Sequence, residues 1–167
     1  MFLSILALAA AQAPATDYQS EVERAVFDLC PQMMAGTFSV ADEAQVTAAG
    51  YTATAPRQTP SGAIPRAVRG SGAGQIVIAG RAGGEAPMCS VWFAGHDNDP
   101  AADAVKRRAR RAGFSGNAMR LGDGTRMTVL RSARTVPPRL IILMDADAAG
   151  EFGGGAATTV VVMNSQE

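Results

Sequence analysis

The 167-residue chain has one histidine, two cysteines, one tryptophan and a single lysine, Lys106. One histidine rules out any metal centre or relay that needs two imidazoles. Aromatics make up only 5% of residues and do not interleave with the cations, so a nucleic-acid stacking platform is not expected. Charged residues are also few, at 18% against 47% hydrophobic, which rules out a self-repelling disordered chain. Fifteen bases balance fifteen acids, so the surface as a whole does not seek polyanions. No apolar run approaches the roughly 20 residues of a membrane-spanning helix, and the chain is expected not to span a membrane.

The longest apolar run, FLSILALAAA over Phe2–Ala11, is uncharged and has the length of a signal-peptide core. Small residues at Ala9 and Ala11 place cleavage before Gln12. Residues 1–11 are therefore expected to be a signal peptide and 12–167 a single α+β domain, periplasmic or secreted. In an oxidising compartment two cysteines most simply form one disulfide, Cys30–Cys89.

Val22, Ala25, Val26, Leu29, Cys30 and Met33 recur at helical spacing and make one apolar stripe, with Glu21, Glu23, Arg24 and Asp28 on the other face. Pro31 is expected to kink or shorten the last turn. A second short helix, with Ser39 as N-cap, is expected to end at Gly50. Tyr51–Ala55 alternates like a strand. The stretch Pro56–Gly74 is rich in Pro, Gly, Ser and Arg, and reads as a long loop with at most a strand around Ala67. Strands follow at 75–81 and 87–95. Asp99-Pro100 opens a helix that stops at Gly113, and further strands are expected at 117–121, 126–133, 139–145 and 158–164. The fold class is α+β: a mainly antiparallel sheet of about six strands, with two or three helices packed on one face. Ala49-Gly50-Tyr51 and Ala112-Gly113-Phe114 each follow a helix and precede strands, so the chain could consist of two αβββ halves.

The helix after Asp99 carries Lys106, Arg107, Arg108, Arg110 and Arg111 opposite a small-residue face of Ala101, Ala102, Val105, Ala109 and Ala112. Charge is uneven along the chain. Residues up to Pro56 sum to −5, Arg57 to Arg139 to +9, and the remainder to −4. These five cations are the candidate contact surface for an envelope protein or an anionic surface. The apolar side is mostly alanine and lacks the anchors of an interfacial helix.

No catalytic, metal or cofactor motif stands out. Asp145, Asp147 and Gly150 match positions of a calcium loop, but Ala149 and Ala156 fall where oxygen ligands are required. The His96–Asp99 turn suits helix capping. Gly70–Gly74 precedes a strand, whereas phosphate loops follow one. The expected function is therefore an exported, disulfide-stapled, non-enzymatic binding domain. The alternatives are a small periplasmic enzyme, or a small-ligand binder using the sheet face with Trp92 and Phe93 near the pocket.

Overall fold

The computed structural model describes residues 15–60, 62–81, 87–94, 100–135, 137–147 and 156–165. The expected signal peptide, the His96–Asp99 turn and the part of the calcium-loop match around Gly150 lie outside these residues.

The apolar stripe builds a helical rod: α1 (Ala15–Arg24), a π turn (Ala25–Leu29) and α2 (Cys30–Met34). All six stripe residues are buried. Pro31 neither stops nor shortens the rod. The wide turn just before it, in which the Cys30 N–H donates to the Ala25 carbonyl, makes room for a residue that has a ring and no N–H. Helix α3 (Glu43–Ala48) is capped by Asp42, not Ser39: Asp42 Oδ1 accepts from the N–H groups of Ala44 (3.0 Å) and Gln45 (3.1 Å). Gln45 reaches back to accept from the Ser39 N–H at 2.9 Å, so Ser39 sits three residues before the cap.

Eight antiparallel strands, not about six, form one sheet among the described residues. They are β1 (Thr52–Thr59), β2 (Gly62–Arg69), β3 (Ile76–Arg81), β4 (Met88–Ala94), β5 (Ser115–Arg120), β6 (Arg126–Ser132), β7 (Arg139–Asp147) and β8 (Ala156–Asn164). Their spatial order is β1-β2-β3-β4-β8-β7-β6-β5. Strand β2, of which only a piece around Ala67 was expected, and the second half of β1 fall in the stretch expected to be a loop. Pro56 and Pro65 are tolerated because β1 is an edge strand whose register breaks between Thr54 and Arg57.

The strand order is a palindrome. Each half is one helix followed by four strands: α3 with β1–β4, and α4 (Pro100–Arg111) with β5–β8. The registers match as well. Thr52 pairs with Val68, and Ser115, 63 positions on, pairs with Arg131, also 63 on from Val68. Ala67 pairs with Ile78 as Leu130 pairs with Ile141, at the same offset. At the centre, Cys89 pairs with Val162, Ser90 with Val161 and Val91 with Val160. Since Ile78–Val91 corresponds to Ile141–Val162, exchanging the halves maps this ladder onto itself. A pseudo-two-fold axis thus passes through the Ser90–Val161 pair. The helix endings repeat too: Tyr51 N–H to Val46 O and Phe114 N–H to Ala109 O are both 3.0 Å, with Gly50 at φ +80° and Gly113 at +86°. Both are Schellman endings, which need a left-handed residue.

The hydrophobic core lies between the helices and one sheet face, formed by Ile76, Ile78, Cys89, Val91, Phe93, Leu130, Ile141, Leu143, Val160 and Val162. The disulfide Cys30–Cys89 ties α2 to β4, beside the pseudo-axis. Gly80 lets α2 approach, because a Cβ there would run into Met33 Sδ and the Met88 carbonyl. Among the described residues no helix is long and apolar enough to cross a membrane.

Candidate interaction surface

In α4 the face turned to the core is Ala101, Ala102, Ala104, Val105 and Ala109. Ala112, expected on that face, is exposed, because the helix has already turned into its Schellman ending. The five expected contact cations divide into two groups. Arg107, Arg110 and Arg111 are exposed. Lys106 and Arg108 are half-buried and have intramolecular partners. Lys106 Nζ lies 3.5 Å from Asp103 Oδ1. Arg108 donates to Asp28 Oδ1 at 3.0 Å, lies 3.6 Å from Glu23 Oε2, and stacks 4.8 Å from the Phe27 ring centroid. This residue clasps α4 to the rod, so its charge is largely used within the fold.

Beyond α4 the chain supplies further cations. Arg120 ends β5, Arg126 and Arg131 lie on β6, and Arg134 follows it. A Cβ on Gly113 would sit 2.9 Å from Arg134 Cδ, which puts that side chain beside the start of β5. Seven guanidiniums (Arg107, Arg110, Arg111, Arg120, Arg126, Arg131 and Arg134) have no ion-pair or hydrogen-bond partner for the side chain among the described residues. Asp123 is the only carboxylate between Lys106 and Arg139. Its Oδ1 is bound by the Thr125 N–H at 2.9 Å in the β5–β6 turn, and that bond holds its pKa below the usual value.

The opposite situation holds where the rod meets the first half. Glu21, expected on the polar face of the rod, is buried. Arg24 Nε contacts both its oxygens at 3.0 Å, Arg69 Nη1 lies 3.2 Å from Oε2, and the Tyr51 hydroxyl donates to Oε1 at 3.0 Å. Burial, then the adjacent Glu21 charge, pushes the Tyr51 phenol well above its ordinary pKa. The sequence pattern gave no sign of this cluster, because its partners come from distant segments.

Trp92 and Phe93 do not share a pocket. Phe93 is fully buried in the helix-side core, whereas Trp92 projects from the opposite face beneath Arg57, 5.3 Å from its ring centroid. No group of three or more His, Cys, Asp or Glu side chains suited to a metal occurs among the described residues. Comparison with protein-family models, curated proteins and solved structures found no match.

Proposed function

We propose that this chain is an exported, disulfide-stapled, non-enzymatic domain that binds an acidic protein of the envelope through the cationic end of the fold. The observation that carries this reading is the group of seven guanidiniums on α4, β5, β6 and the residues after β6 whose side chains have no partner among the described residues, with one carboxylate in the same stretch. Such a field raises encounter rates with anionic partners and selects against cationic ones. The disulfide between two fully buried cysteines supports export, since such bonds persist in oxidising compartments.

The test uses the protein lacking residues 1–11, passed over immobilised poly-glutamate and, separately, over vesicles of anionic lipid. Retention on poly-glutamate that falls with salt is expected, and R107E/R110E/R111E should elute at lower salt. Its melting temperature should stay close to wild type, because all three side chains are exposed and unpaired, each worth within about 0.5 kcal/mol. Retention on vesicles alone would replace the protein partner with a lipid surface. Passage through both without retention would overturn the reading.

A further inference from the structure

We infer that the acidic partner binds as an extended strand added to the free edge of β5. This rests on the proposed function and specifies how the partner is held. Among the described residues β5 is the last strand in the sheet, so alternate residues turn their N–H and C=O away from β6 with no described strand to receive them. All six of its residues are exposed. Its register with β6 runs without a break from Ser115–Arg131 to Arg120–Arg126, and the strand contains no proline.

The pseudo-two-fold axis supplies an internal control. The equivalent edge, β1, is blunted by Pro56 and by the register break between Thr54 and Arg57. Those are the usual devices by which an edge is made unfit for pairing, and β5 has neither of them. The only large hydrophobics exposed among the described residues, Met119 at 46% and Leu121 at 41%, also lie at the far end of this edge. They would give an incoming strand apolar contacts beside its backbone hydrogen bonds.

Charge chooses the occupant. Arg110 and Arg111 close the helix that leads into β5, Arg134 lies beside Gly113 just before the strand begins, and Arg120 and Arg126 pair across where it ends. A second copy pairing antiparallel, β5 to β5, would bring the first group against the second and set cation on cation. An acidic segment meets opposite charge at both ends. Six residues extend about 20 Å, so the fitting ligand is a short β-prone stretch with carboxylates at both flanks.

The probe is a fluorescein-labelled peptide, Glu-Glu-Thr-Val-Thr-Val-Thr-Val-Glu-Glu. Its control replaces the middle threonine and the valine after it with proline, one residue of each parity, which keeps the charge but removes strand pairing. Fluorescence anisotropy should show the probe binding at least about tenfold tighter than the control. Asn117→Pro and Ala118→Pro then separate the two sides of the strand. Neighbours alternate, so one of these removes an outward N–H and the other an N–H bonded to β6. The variant that keeps the wild-type melting temperature should lose the preference for the probe. Equal binding of both peptides, weakened by R107E/R110E/R111E, would overturn strand addition and leave the proposed function standing. Binding of neither at low salt would overturn both. Sedimentation that shows a dimer abolished by the outward proline would assign the edge to a second copy and overturn the acidic-strand inference.

Discussion

The Cys30–Cys89 bond offers the most direct test of how the fold is held together. It joins residues 59 apart in sequence and ties α2 to the strand at the centre of the sheet. In the chain-entropy account, closing a loop of that length withholds about 4 kcal/mol of conformational freedom from the unfolded state. Both cysteines are fully buried, so Cys30→Ala/Cys89→Ala also leaves a small void, worth roughly 1 kcal/mol. At about 2–4 °C per kcal/mol for a chain of this size, the double variant should melt some 10–20 °C below wild type. Circular dichroism melts of the two proteins measure this directly. Wild type reduced with a phosphine after unfolding should follow the variant. Hydrogen exchange gives the spatial check: protection should fall most in the rod, whose covalent tie to β4 is gone, and least in β6–β8. A variant melting within a few degrees of wild type would refute the reasoning. The native contacts of the rod would then hold it without the bond, or the unfolded chain would already be compact across that loop.

Two further predictions concern the rod. Because burial and Glu21 raise the Tyr51 pKa in the folded state, the contribution of the neutral phenol is complete below the unfolded value of about 10 and is lost as pH rises above it. The wild-type melting temperature should therefore fall above about pH 10, and Tyr51→Phe, less stable at neutral pH for want of the bond to Glu21, should fall less steeply. Parallel slopes for the two would remove Tyr51 from the account. Arg108→Ala should cost roughly 1 kcal/mol, since its partly exposed ion pairs are screened but its stacking on Phe27 is also lost. Arg110→Ala, with no such contacts, should change urea midpoints hardly at all, and equal effects would show that Arg108 does not clasp the rod.

The parts of the fold that were legible are those with a one-sided burial pattern. The stripe from Val22 to Met33 repeats every turn because one side of the rod meets the sheet, and the disulfide follows from there being two cysteines and no more. β3 and β7 were legible as apolar runs in the sheet interior. The β1–β2 hairpin was legible only at Tyr51–Ala55 and around Ala67, because its prolines and arginines have the composition of a loop. An exposed edge strand needs no apolar alternation, and a bulge accommodates what a ladder would refuse. β5 failed for the same reason: a strand exposed on both faces has no pattern to read, so its first two residues were missed. Asp42 displaced Ser39 as cap through geometry three residues apart, finer than composition can resolve. The candidate cations were visible as a run, but not that Arg108 is spent on Asp28, 80 positions away.

The internal pseudo-symmetry turns these details into an argument about where the partner binds. Arg69 and Arg134 do not share a register position, since Ser132 is the equivalent of Arg69, yet each side chain lies against the left-handed glycine that ends its half's helix. In the first half Arg69 meets Glu21 of the rod. In the second, no described carboxylate meets Arg134. The rod belongs to neither repeat and breaks their symmetry. It places Glu21, Glu23 and Asp28 against Arg69 and Arg108, whereas at the β5 end the turn residue Asp123 is the one carboxylate between Lys106 and Arg139. Two halves built alike would carry similar fields and similar edges. Here one edge is blunted and Arg69 of the strand beside it meets Glu21, while the other edge is regular and its arginines have no side-chain partner among the described residues. Strand geometry and charge vary independently along a chain, yet both single out the same end of the sheet. That end would be the one to meet an acidic strand, with the rod holding the other closed.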